Sequence, residues 1–318
     1  MSKLLTIIIP SFNEEGNIGN TAKVVQSIMD REQIEYEILF VSDGSKDSTF
    51  REIEKAAMEN RCVRGIEFSR NFGKEAAILA GLSLGNGDCF VIMDCDLQHP
   101  PETIVEMYHL WEQGYDIIEG LKKKRGKESL LHRAFAGFFY GIISALTGFD
   151  MQNTSDFKLI DRKVADTLAK MPERKTFFRA MTFWVGFKSC NVYYDVAERE
   201  IGESKWSVWG LVKYAVSNII SFSSIPLNIV TYLGVLTLIC SVFLGIHTLW
   251  RWCSGTAVEG FTTVILLLLF IGGCMFIGMG LIGRYIAAIY DEIKQRPRFI
   301  VGRSCNMDAA ESRKNADG

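Results

Sequence analysis

Asp94-Cys95-Asp96 places two carboxylates one residue apart, after the apolar run Phe90-Val91-Ile92-Met93 and before Leu97-Gln98-His99-Pro100-Pro101. The run reads as a buried strand, and the two prolines forbid its continuation. The acids therefore sit where a strand gives way to a loop. In an open α/β sheet, ligands bind beyond the carboxyl ends of the strands. Hard carboxylate oxygens there suit Mg²⁺ or Mn²⁺, and either ion suits a substrate carrying phosphates. A bare Asp-x-Asp is also a common solvated turn, so its weight depends on the elements around it.

Those elements alternate. Strand patterns fall at residues 4–9, 37–41, 63–68, 89–93 and 116–118. Between them, Ile18, Val24, Val25, Ile28 and Met29 mark one helix face. Phe50, Ile53, Ala57 and Met58 mark a second, with Asp47 or Ser48 as its N-cap, and residues 76–84 give a third. Strands alternating with helices predict an α/β domain with a mostly parallel, doubly wound sheet. Three strands end in polar clusters on the same rim: Pro10-Ser11-Phe12-Asn13-Glu14-Glu15, Ser42-Asp43-Gly44-Ser45 and Asp94-Cys95-Asp96. A dinucleotide fold would show G-x-G-x-x-G after its first strand, and the sequence has none.

The second half changes character. The chain has 318 residues and a mean hydropathy of +0.12. Residues 227–250 carry no Lys, Arg, Asp or Glu, only His247, and residues 262–283 carry no charge. Each run is about 22–24 residues, or roughly 33–36 Å of helix, enough to cross a bilayer. Before them, residues 206–222 set Ser207, Gly210, Lys213, Ser217 and Ser221 on one side of a helix. Trp206, Trp209, Val212, Val216, Ile219 and Ile220 fall on the other. A Trp-rich face of this kind predicts a helix lying in the membrane interface. Arg284, Lys294, Arg296, Arg298 and Arg303 follow the second run, whereas residues 253–261 hold no Lys or Arg. The positive-inside rule then puts both the α/β domain and the C-terminus in the cytoplasm, on a multi-pass protein of the inner membrane. Arg251-Trp252 reads as an interface anchor, since position 248 is Thr rather than the Gln of a Q-x-x-R-W signature.

Other features exclude classes. The apolar stretch near the N-terminus is short and runs into Pro10 and acids, unlike a signal peptide. Eight scattered cysteines without metal spacing fit a reducing compartment. A net charge of −2 does not favour nucleic acid. Residues 130–146 read as a helix and 191–196 as a further strand. His99 and His132 read as structural rather than metal-ligating. The domain reading is 1–200 catalytic, 201–226 interfacial, 227–290 two membrane helices, and 291–318 a partly disordered tail.

Five motifs in order carry a resemblance. They are Ile9-Pro10-Ser11-Phe12-Asn13-Glu14-Glu15, Ser42-Asp43-Gly44-Ser45, Ser69-Arg70-Asn71-Phe72-Gly73-Lys74, Met93 to Pro100, and Ala197-Glu198-Arg199 through Gly202-Glu203-Ser204-Lys205. With the two apolar runs, the chain resembles family 2 glycosyltransferases of GT-A fold. More narrowly, it resembles the polyprenyl-phosphate hexosyltransferases, such as bactoprenol glucosyltransferases and dolichol-phosphate mannose synthases.

The resemblance implies a nucleotide-sugar donor and a lipid-phosphate acceptor. By it, Pro10, Phe12, Glu14 and Glu15 border the nucleotide and Asp43 hydrogen-bonds the base. Asp94, Asp96 and Gln98 hold Mg²⁺ or Mn²⁺ and the diphosphate. Arg199 and Lys205 lie near the diphosphate and acceptor, and Arg133, with Lys122 or Arg125, near the acceptor phosphate. The family pattern has Asp-Asp-Gly-Ser where this chain has Ser42 first. Asp156 matches an acid assigned to catalysis, in the role of orienting the sugar or the acceptor. The reaction implied is inverting transfer of a hexose, first of all glucose from UDP-glucose, to undecaprenyl phosphate in the bilayer, for O-antigen or other envelope glycans. Mannose, N-acetylhexosamine and 4-amino-4-deoxyarabinose are alternative sugars. Rivals are a processive synthase, which lacks its signature here, and a silent scaffold, which needs none of these charged residues. Homo-oligomer formation stays open, since membrane helices often associate.

Overall fold

A computed structural model describes residues 3–123, 155–173, 177–195, 225–255 and 260–307. The described residues fall into two compact units: the sheet with its helices plus 296–307, and the pair of long C-terminal helices.

The first unit is built on an eight-stranded sheet. Its strands are β1 (Leu5–Ser11), β2 (Tyr36–Ser42), β3 (Val63–Phe68), β4 (Cys89–Ile92), β5 (Ile117–Lys122), β6 (Lys158–Asp161), β7 (Ser189–Tyr194) and β8 (Val301–Cys305), in the order β7-β5-β6-β4-β1-β2-β3-β8. β1 to β4 are parallel, β5 and β7 are parallel to each other, and β6 runs antiparallel between β4 and β5. The carboxyl ends of β1, β2, β4, β5 and β7 therefore share one rim with the start of β6.

Helices cover both faces, which is why the central strands are buried throughout. The helices α1 (Ile18–Arg31), α2 (Thr49–Glu59) and α4 (Glu102–Glu112) supply one core layer with Ile7, Ile38, Phe40 and Val91. The other layer holds α3 (Lys74–Leu84), α5 (Arg162–Lys170) and α6 (Phe178–Trp184) against Ile8, Leu39, Phe90 and Ile92. β4 ends at Ile92, well before Pro100 and Pro101, which instead open α4: a helix start tolerates a missing N–H. Ser48 precedes α2, but the amide of Thr49 is met by Asp47 Oδ1 at 3.1 Å.

Two strands depart from the sequence reading: β6, where no strand is expected, and β8. Residues 301–305, assigned to a tail, form the antiparallel edge strand β8 on β3. Phe299 stacks on Phe68 at 5.3 Å, Arg303 pairs with Glu67 at 2.6 Å, and Asn306 Nδ2 donates to Ala57 O and Val63 O. An edge strand that is mostly exposed needs no hydrophobic alternation, so Val-Gly-Arg-Ser-Cys carried no strand pattern.

The second unit is α7 (Ile225–Cys253) and α8 (Phe261–Ile293). Both are long and apolar enough to cross a membrane. Leu236, Leu238, Phe243, Phe276 and Ile277 are exposed on them. The two helices touch where Gly278 meets Val230; a Cβ there would come 3.1 Å from Val230 Cγ1. The expected helices at 130–146 and 206–222 lie outside the described residues.

Candidate active site

Cys95 is 3% exposed and packs into the core, so Asp94 and Asp96 flank a buried anchor at the rim. Its carbonyl accepts from Thr21 Oγ1 at 2.7 Å. Burial pushes the Cys95 thiol up to about 12, which removes it from nucleophilic chemistry at neutral pH. Asp96 Oδ1 then accepts the amide of Gln98 at 3.2 Å, closing a turn over Leu97, whose φ is +53°. A non-glycine residue in that region is uncommon and marks a turn held by its surroundings. His99 holds the other end. It is buried, stacks on Phe157 at 4.6 Å and offers Nδ1 to the Asp94 amide at 3.3 Å. Burial lowers its pKa, which keeps the neutral ring that such an acceptor requires. The structural reading of His99 thus has a definite content.

Four charged side chains meet beside this turn. Lys74 Nζ, at the start of α3, lies 2.6 Å from Asp94 Oδ1 and 3.2 Å from Asp156 Oδ2. Arg179, on α6, forks onto Asp156 with bonds of 2.7 and 2.9 Å. Burial raises the Asp156 carboxyl, but Arg179 and then Lys74 outweigh it and hold the group far below the usual carboxylate range. A carboxylate held so low is a poor general base. Its geometry suits orientation and charge balance instead. Burial also opposes charge on Lys74, and Asp94 and Asp156 override it, so the ammonium stays protonated.

A second layer supports the first. Glu75 Oε2 accepts the Phe178 amide at 2.8 Å, pinning α6, and burial next to Asp156 raises its pKa to about 7. Lys158 Nζ, buried at the start of β6, donates to Thr182 Oγ1 at 2.8 Å and sits 3.3 Å from Glu119. Glu119 accepts the Ser155 amide at 2.6 Å, which fixes the residue before Asp156.

At the β1 and β2 ends, Phe12 is 44% exposed and Pro10 half-buried. Glu14 accepts from Asn17 Nδ2 at 2.6 Å, and Glu15 from the Ser48 amide at 2.8 Å. Asp43 is buried, and its two oxygens accept the amides of Phe72 and Gly73 at 2.6 and 2.9 Å. Burial raises its pKa against the pull of those amides. The loop it grips approaches so closely that a Cβ on Gly44, at φ +61°, would strike the backbone of Arg70 and Asn71. Asp43 thereby holds the loop that leads to Lys74.

The structure brings Pro10, Phe12, Glu14, Glu15, Asp43, Asp94, Asp96, Gln98 and Asp156 to one rim, with exposed Lys122 at the end of β5. Arg125, Arg133, Arg199 and Lys205 lie outside the described residues. Sequence reasoning assigned no role to Lys74, Glu75, Glu119, Lys158 or Arg179. Lys158 carried one usable signal, a lysine heading a short apolar strand. Among the described residues no group of three or more His, Cys, Asp or Glu is arranged to hold a metal by itself. The oxygens of Asp94, Asp96 and Gln98 nonetheless fit an ion that shares its coordination with substrate phosphates, as Mg²⁺ usually does.

The mixed sheet with helices on both faces is a GT-A-like fold. The model of glycosyl transferase family 2 matches residues 6–168, and the chain belongs to that family. A prophage bactoprenol glucosyl transferase homolog of Escherichia coli (strain K12) is 36% identical, over 94% of this chain and 98% of its own length. The bactoprenol glucosyl transferase of Shigella phage SfV is 36% identical, over 93% and 97%. An uncharacterized glycosyltransferase of Synechocystis sp. is 37% identical, over 93% and 94%. Among solved structures, glucosyl-3-phosphoglycerate synthase from Mycobacterium tuberculosis with Mn²⁺, uridine-diphosphate and phosphoglyceric acid has a TM-score of 0.50 at 17% identity. It covers 69% of this chain and 76% of that one, a likeness in fold.

Proposed function

We propose that this glycosyltransferase moves a hexose, first of all glucose from UDP-glucose, onto undecaprenyl phosphate at the cytoplasmic face of the inner membrane. The observation that carries the reading is the set Asp94, Lys74, Asp156 and Arg179 at the sheet rim, in a chain that also holds two exposed apolar helices. The relatives named bactoprenol glucosyl transferase support the acceptor and the sugar. The apolar surfaces of α7 and α8 suit lipid rather than water. The product lipid would serve O-antigen or another envelope glycan.

An oxygen of the lipid phosphate attacks the anomeric carbon as the bond to the nucleotide diphosphate breaks, inverting that centre. A phosphate monoester has a second pKa near about 6, so the nucleophile is ionised without a strong base. Asp156, held ionised by Arg179 and Lys74, orients a sugar hydroxyl or the acceptor. Asp94, Asp96 and Gln98 would hold Mg²⁺ or Mn²⁺. That ion would supply charge neutralisation for the departing diphosphate. Pro10, Phe12, Glu14 and Glu15 border the nucleotide. By the family pattern Asp43 would hydrogen-bond the base, and it also braces the 69–74 loop. By the family resemblance, Arg199 and Lys205 would bind the diphosphate and acceptor. Lys122, Arg125 and Arg133 draw in the acceptor phosphate, Arg by its fork-shaped guanidinium.

The test is direct. Purified protein is incubated with undecaprenyl phosphate and a panel of nucleotide sugars, with and without EDTA. Glucolipid formed from UDP-glucose and lost with EDTA is expected. Absence of glycolipid from every donor would remove the enzymatic reading; product from a different donor would replace the sugar alone.

A further inference from the structure

Lys74 occupies Asp94 Oδ1 at 2.6 Å, an oxygen that the candidate metal site would use. It also reaches Asp156, which Arg179 already grips by two bonds. Two cations and two carboxylates thus balance to zero formal charge. A divalent ion arriving alone at Asp94 and Asp96 meets an ammonium on the same carboxylate, and two cations so close repel strongly. A nucleotide diphosphate changes both sides of this. It brings negative charge that offsets the ion, and phosphate oxygens that accept from an ammonium. Lys74 is 40% exposed on its side chain and carries a flexible stem, so it can leave Asp94. Asp156 keeps its charge partner in Arg179 when it does.

We propose that Lys74 is a counter-ion latch: it keeps the Asp94 site weak for a free divalent cation, and the nucleotide diphosphate opens the site by drawing the ammonium away. This rests on the metal-and-nucleotide reading of the site given above. By linkage, the ion and the nucleotide then raise each other's affinity, and Lys74 adds to the coupling that shared phosphate coordination supplies.

The experiment titrates Mn²⁺ into purified full-length protein and reads free Mn²⁺ by electron paramagnetic resonance, with and without UDP. Wild type should bind Mn²⁺ at least about tenfold more tightly with UDP. Without UDP, Lys74→Met should bind Mn²⁺ at least about tenfold more tightly than wild type, and UDP should then raise the affinity by a smaller factor than it does in wild type. Lys74→Arg, which keeps the charge, should retain the wild-type coupling. Lys74→Gln serves as the neutral variant if Lys74→Met does not fold, with the same expected gain. If the neutral variant binds Mn²⁺ no more tightly than wild type while wild type still responds to UDP, the latch is wrong and the metal site stands. If wild type takes up no Mn²⁺ even with UDP, the metal reading falls and the latch with it.

Discussion

Two ionic clusters sit at opposite rims of one sheet, and they are built from the same chemistry. At the strand beginnings, Glu37 on β2 pairs with Arg64 on β3 at 2.6 Å. It also accepts from Thr6 Oγ1 and the Asn86 amide at 2.6 Å each, and the two charged side chains are 8% and 7% exposed. At the strand ends, Lys74 joins Asp94 and Asp156, and Lys74 and Asp94 are 40% and 39% exposed. The first cluster is closed: strand neighbours fill its coordination and water is excluded. The second is open toward the rim, so its charges can be re-partnered by a ligand. A buried ion pair is thus a structural or a functional device according to whether its last partners come from the fold or from outside.

The contrast can be broken from either side. Arg64→Met leaves Glu37 buried without its cation and should cost about 3–5 kcal/mol of stability. Denaturant unfolding measures this, while transfer per folded molecule stays at the wild-type level. Asp94→Asn should do the reverse, slowing transfer about a hundredfold with little change in the unfolding midpoint. Equal damage to stability from both would erase the distinction. Asp156→Asn should slow transfer at least about tenfold while the nucleotide sugar binds as before. A turnover unchanged at saturating substrates would take Asp156 out of the mechanism.

Glu75 sharpens the comparison through pH. Its pKa rises from 4.5 to about 7 in the folded protein, so the folded state binds more protons than the unfolded one between those values. Its contribution is therefore full below about 4.5 and is lost as pH rises through about 7. Thermal unfolding of wild type against Glu75→Gln should show wild type losing stability relative to the variant across that window. Glu52 and Lys55 give the smallest effect. The pair lies on the surface of α2 with Lys55 58% exposed, and Lys55→Ala should change stability by less than about 1 kcal/mol.

Much of the fold was legible in the sequence because it rests on local periodicity. The parallel strands at 4–9, 37–41 and 89–93 are largely apolar runs, which burial under helices on both faces demands, whereas 63–68 mixes Val63, Ile66 and Phe68 with Arg64 and Glu67. Helix faces at Ile18 and Phe50 follow the same logic. The helices α4, of eleven residues, and α5, of nine, were not read, and the rest that escaped is short or half-exposed: β6 has four residues, β8 is an open edge, and α6 has seven residues. Such elements are fixed by the neighbours they pair with, and no pattern within them says so.

The candidate site divides the same way. The sequence by itself determined that acids and small polar residues stand at the ends of three strands, because alternating strand and helix puts those ends on one rim. It also determined the two apolar helices, since length and lack of charge are local properties. Only the tertiary structure decided that Lys74 bridges Asp94 and Asp156, that Arg179 forks onto Asp156, and that Asp43 accepts two backbone amides. In a sequence every charged residue reads as solvated. Which ones lose their water, and which partners replace it, depends on contacts between segments far apart in the chain.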